Sequence, residues 1–102
     1  MSALIHLIYV SKSSNAFSSS DIIDLLSKSR DRNRQLNVTG MLLYEQGSFF
    51  QVLEGEEDVV NNLFATICND PRHTSIVKII SEAIFKRDFV DWSMGYAAVT
   101  VN

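Results

Sequence analysis

The sequence predicts an α+β sandwich in which two helices pack on one face of a five-stranded mixed sheet. Three observations carry that expectation. The chain holds apolar stretches of strand length, it holds two segments whose apolar residues recur at helical spacing, and these follow one another in the order βαββαββ. A length of 102 residues suits one such unit around a single core, so residues 1–102 read as a single domain.

Leu4 to Val10 reads LIHLIYV, a nearly unbroken apolar run too short for a typical helix, and predicts a buried first strand. Ser11 to Ser20 is polar and predicts a loop. Ser20 is placed to cap a helix running through DIIDLLSKSRDRN, with Asp21 in the first turn, where a carboxylate complements the helix dipole. Asn37, which tolerates left-handed backbone, marks the end of that helix. Val38 to Tyr44 and Ser48 to Leu53 predict strands joined by Glu45-Gln46-Gly47, where Gly47 supplies the positive φ of a short hairpin. Gly55 predicts a strand break. Glu56, Glu57 and Asp58 then open a second helix whose Val60, Leu63, Phe64 and Ile67 follow helical spacing, and Asp70-Pro71 ends it. Ile76 to Phe85 and Trp92 to Val101 predict the last two strands, on either side of a polar break at Lys86 to Asp91. This order suggests a ferredoxin-like sandwich.

Composition narrows the function. Hydrophobic residues make up 46% and charged residues 21%, a globular balance. A net charge of -3 gives no electrostatic reason to expect nucleic acid or an anionic membrane as partner. Asp31 interrupts the basic cluster Arg30, Arg32 and Arg34, which reads as a solvated helix face. No stretch reaches membrane-spanning length, and the N-terminus lacks a signal-peptide pattern, so the expected compartment is the cytoplasm. Cys68 has no cysteine to pair with and, beside Phe64 and Ile67, reads as an inert core thiol. His6 and His73 lie far apart, no set has metal-ligand spacing, and no nucleophile with a neighbouring base emerges. No enzyme chemistry is visible.

The informative residues are polar groups at core positions. Gln51 shares a strand face with Phe49 and Leu53, where a buried amide needs partners for both its donor and its acceptor. A glutamine facing solvent fits the pattern as well. Tyr9 shares a face with Ile5 and Leu7, and its hydroxyl needs a partner if buried, although an ordinary core tyrosine would read the same. Asn33 continues the helix face of Ile22, Leu26 and Ser29. Apolar residues with an amide at one end suit the rings and edge of a flat heteroaromatic ligand, whereas near a helix end Asn33 could simply cap backbone groups.

Three stretches together resemble the BLUF family of blue-light sensors: LIYVS at Leu7 to Ser11, VTGMLLYEQGSFFQVLEGEE at Val38 to Glu57, and DPRH at Asp70 to His73. DWSMG at Asp91 to Gly95 is similar as well, and the order and separations of Tyr9, Asn33, Gln51 and Met94 fit the same pattern. The resemblance implies a non-covalent flavin, usually FAD with FMN as the other possibility, held between the two helices. It further implies that Ile22 and Leu26 flank the rings and that Asn33 bonds the polar edge. Gln51 would bridge Tyr9 to the N5 and C4 carbonyl region. Ser29, Arg30, Arg32, Arg72, His73 and Met94 complete the ligand-contacting set on this reading. Two positions depart from the common pattern: Asn37 stands where many members have Gly, and Arg32 where His or Asn is frequent.

By the same resemblance, Tyr9 gives an electron and a proton to the excited ring through Gln51. The amide rearranges, and after charge return a changed hydrogen bond at C4=O leaves a lasting red shift. Trp92 and Met94 share parity on the last strand and would read that change out. A light-insensitive module of the same fold, using Gln51 and Asn33 for another planar ligand, is the alternative. Ile8, Val10, Phe50 and Val52 point to the sheet's other face, which predicts a second copy or an output domain as its cover. An acylphosphatase-like hydrolase ranks last, because the Ser11 to Ser20 loop has no arginine.

Overall fold

A computed structural model describes residues 3–13, 18–71, 73–90 and the backbone of 95–98. The elements are β1 (Leu4–Ser13), α1 (Ser19–Leu36), β2 (Thr39–Glu45), β3 (Ser48–Glu56), α2 (Glu57–Cys68), β4 (His73–Ala83) and β5 (Gly95–Ala98). The sheet order is β4-β1-β3-β2-β5. The first four strands pair antiparallel and β5 joins β2 in parallel. This is an α+β fold of ferredoxin-like βαββαβ plan, four antiparallel strands and two helices, with β5 added at the β2 edge.

Alternation along β1 sets the layers. Ile5, Leu7, Tyr9 and Ser11 are buried while His6, Ile8 and Val10 are only half covered. The buried side forms one core with Leu42, Phe49 and Leu53 of the sheet, Ile22, Leu25 and Leu26 of α1, and Val60, Leu63 and Ile67 of α2. Both helices therefore serve the same sheet face.

Several boundaries differ from the sequence expectation, each for a local reason. β1 continues to Ser13, because Lys12 still pairs with Ser48 and with Thr74. The α1 N-cap is Ser18 rather than Ser20. Its hydroxyl accepts from the Asp21 N–H at 3.2 Å, and the Asp21 carboxylate accepts from the Ser18 N–H at 2.9 Å, a reciprocal capping box. Asn37 ends α1 with φ 55°, as its residue type predicts. The hairpin has two turn residues, Gln46 at φ 46° and Gly47 at φ 81°, the twist that matches right-handed strands. Gly55 does not break β3: it stays paired with Ile5. β4 starts at His73 and ends at Ala83, earlier at both ends than expected. Cys68, the last residue of α2, is exposed and not a core thiol. The expected last strand over Trp92 to Val101 is seen as Gly95–Ala98, the rest lying outside the described residues.

Candidate functional site

Tyr9 and Gln51 meet because β1 and β3 pair in the register that sets them opposite each other. Tyr9 is fully buried and Gln51 nearly so, which excludes the solvent-facing reading of the glutamine. The phenol donates its proton to Gln51 Oε1. Phe64 of α2 packs on the Tyr9 ring with centroids 5.3 Å apart, and Lys78 Nζ lies 5.9 Å from the Phe64 ring centre. Burial pushes the Tyr9 phenol well above the usual tyrosine range, opposed by the Arg32 charge. It is therefore a neutral hydrogen-bond donor at any physiological pH. The β1–β4 ladder slips between Ile8 and Tyr9 and again between Val10 and Lys12, and Ser75 takes φ 51°. Such irregularities re-aim side chains and recur beside functional sites.

A narrow cleft of about 20 Å³ opens at this pair, walled by Leu25, Ser29 and Arg32 of α1, Leu42 of β2, Ile67 of α2, Asp70 just after it, and His73 at the start of β4. His73 is held by its ring Nδ1 at 3.0 Å from Ser11 Oγ and by Phe49, whose ring centre is 5.0 Å away. Of the residues named from sequence, Tyr9, Ser29, Arg32, Gln51 and His73 line the cleft. Ile22, Leu26 and Asn33 are buried on the same face of α1 without lining it, and Arg30 is half-buried. Asn33 Oδ1 and Arg32 Nε are buried atoms with no hydrogen-bond partner among the described residues, although both side chains have other interactions. Arg72, Trp92 and Met94 lie outside the described residues. Leu25, Leu42 and Ile67 were not singled out as site residues by sequence, because apolar residues at core spacing look alike whether they face a core or a slot; Asp70 entered only as part of the DPRH stretch. A larger cleft of about 280 Å³ is lined by Val10, Leu43 and Phe50 and does not include Tyr9 or Gln51.

The donor set fits a flavin. Aliphatic walls from a helix and a sheet suit flat rings, and Gln51, Ser29 and Arg32 offer amide, hydroxyl and cationic groups for a polar ring edge. The fold and the buried Tyr9–Gln51 pair thus define a small α+β domain with a buried phenol–amide pair at a cleft. Comparison with known proteins narrows the class. The model of the BLUF family, sensors of blue-light using FAD, matches residues 4–95. The chain is 37% identical over 94 residues to a photoactivated adenylate cyclase subunit beta of Euglena longa, covering 91% of this chain and 11% of that protein. It is 41% identical over 68 residues to the blue light- and temperature-regulated antirepressor BluF of Escherichia coli, covering 67% of this chain and 17% of that protein. The dark-state structure of the BLUF protein BlrB superposes with a TM-score of 0.90 at 39% identity, over 96% of this chain and 74% of that one. A bacterial light-regulated adenylyl cyclase gives 0.89 at 40% identity, over 93% of this chain and 28% of its own.

The chain belongs to the BLUF family and is a blue-light photoreceptor domain. It spans between a tenth and a fifth of the length of these two curated relatives. BLUF domains bind flavin and couple to output domains, and the enzymatic output of homologues lies in those other domains. Among the described residues, no helix is long and apolar enough to cross a membrane.

Proposed function

We propose that this chain senses blue light by proton-coupled electron transfer between Tyr9 and a bound flavin, with Gln51 as the relay. The observation that carries the reading is the buried hydrogen bond from the Tyr9 phenol to Gln51 Oε1. When bound, the flavin supplies blue-light absorption and, once excited, a strong oxidant. Tyr9 gives up one electron and, through its O–H bond, one proton, and receives both back, so nothing is consumed. Gln51 carries both a donor and an acceptor, so rotation or tautomerisation reverses the pattern it presents to its neighbours. The reversed amide offers a hydrogen bond to the ring carbonyl in place of the one it accepted from Tyr9, and the absorption shifts to the red.

Ser29, Arg32 and His73 are assigned to the ligand from the cleft itself, and Ile22, Leu26, Arg30 and Asn33 from the same helix. Arg72 and Met94 join them by family pattern, with Trp92 and Met94 as the readout. FAD is the assigned cofactor from the family's name; FMN accompanies the Klebsiella pneumoniae BlrP1 structure. The whole chain acts as one sensor domain whose signal passes to an output domain or a second copy. That partner covers the sheet face of Ile8, Val10 and Phe50, half-buried here, with the exposed Val77 and Ile80 of β4 beside them; Val52, expected to be uncovered on the same face, is buried within the chain.

The test is the absorption spectrum of the purified protein before and after blue illumination. A bound flavin with a red shift that reverses in the dark is expected. A protein that takes up no flavin, or whose flavin spectrum does not move, would sink the proposal and favour a light-insensitive binding module.

A further inference from the structure

Glu54 sits on β3 three residues beyond Gln51, at a position whose side chain points to the face away from the helices. A carboxylate there would ordinarily meet water, yet Glu54 is fully buried. A charge so enclosed persists only where hydrogen bonds replace its hydration, and three donors do this. Oε1 accepts from the Thr39 hydroxyl at 2.8 Å and the Phe89 N–H at 3.0 Å, and Oε2 accepts from the Asp88 N–H at 2.6 Å. Two successive backbone amides on one carboxylate pin the chain at 88–89 to β3. Arg87 extends the clasp: its guanidinium donates to Thr39 Oγ1 at 2.9 Å, to the Glu54 carbonyl at 2.9 Å and to the Asn37 carbonyl at 2.8 Å. One cluster thus joins the end of α1, the start of β2, β3 and the segment that follows β4.

Resting on the photoreceptor reading above, we propose that Glu54 and Arg87 are positioning residues for the light switch: they anchor the segment leading into β5 to the strand that carries Gln51. That segment is held at Phe89 by Glu54 and resumes at Gly95, where β5 pairs with Met41 of β2. The stretch between is short, so its two ends are tied to β3 and to β2. A change in the Gln51 amide is felt along β3 at Glu54 and passed to the chain entering β5. The clasp holds the illuminated arrangement; loosening it lets that arrangement relax sooner.

The test uses the flavin-loaded full chain, comparing wild type, Glu54→Gln, Arg87→Met and, as a core truncation of α2 outside the clasp and the cleft, Leu63→Ala. Glu54→Gln keeps shape but sets an amide N–H against a backbone donor. The expected result is a red shift of wild-type size in both clasp variants, with dark recovery about threefold to tenfold faster, the scale of one weakened hydrogen bond. Leu63→Ala should lower the denaturation midpoint without that acceleration, which separates positioning from loss of stability. If Glu54→Gln does not fold, Thr39→Val and Arg87→Met carry the comparison. Recovery at the wild-type rate in the folded clasp variants, or acceleration no greater than in Leu63→Ala, overturns the inference alone. Absence of any reversible shift in wild type overturns the photoreceptor reading and the inference with it.

Discussion

Tyr9 and Gln51 stand directly opposite each other in the antiparallel β1–β3 pair, and the phenol of the first donates to the amide oxygen of the second. Strand register alone brings them together, since a slip of one residue would send one of the two to the other face. The phenol–amide pair is thus built into a fully buried part of the sheet, where Leu7 and Leu53 make the next facing pair on the same side and are fully buried.

Replacing the relay should silence the colour change without removing the ligand. Gln51→Leu is expected to bind flavin but to lose the light-induced downshift of the ring carbonyl stretch in infrared difference spectra. A downshift of wild-type size would show that no amide is needed.

The raised ionisation range of Tyr9 makes a prediction for alkaline solution. A folded-state pKa above the unfolded value contributes stability that is complete below about pH 10 and is lost as pH rises towards the folded value. Between about pH 8 and about pH 11, wild type should therefore lose more stability in urea than Tyr9→Phe does. Equal losses would mean that the phenol is not desolvated.

Gly40 is a second structural test. A Cβ there would lie 1.9 Å from the Val52 carbonyl oxygen, a backbone atom that moves only if β2 and β3 separate. Gly40→Ala is expected to cost about 2–3 kcal/mol, the upper range for overpacking, measured as a fall in urea midpoint. Wild-type stability would contradict the register given for β2 and β3.

At the start of α1, Ser18→Ala should cost about 1 kcal/mol by removing the cap. The Ser18 backbone N–H, and then its hydroxyl, hold the Asp21 carboxyl below the usual carboxylate range. A depressed folded pKa contributes stability present above about pH 4 and lost as pH falls through the folded value. Asp21→Asn should flatten that part of the acid denaturation profile. An unchanged profile would rule out the reciprocal cap.

Tyr9, Gln51 and Asn33 were legible in the sequence because strand alternation and helical spacing assign each a buried face, and a polar group on such a face demands a partner. The slot itself was less so: Leu25, Leu42 and Ile67 carry no mark that separates a wall from a core. Glu54 and Arg87 were illegible for a different reason. A carboxylate on the outward side of a strand and an arginine in a polar break both read as solvated, and only the return of the chain over β3 buries Glu54 and brings the half-buried Arg87 onto it. Local pattern also misplaced Cys68, which ends α2 exposed although Phe64, one turn before it, packs against the core.

The central claim is that the Tyr9 phenol supplies the electron and proton that Gln51 relays. Light-minus-dark absorption of flavin-loaded wild type and Tyr9→Phe tests it most directly. A persistent red-shift signal in wild type that is absent from Tyr9→Phe, with flavin retained in both, is the predicted result. The same lasting photoconversion in both proteins would contradict it.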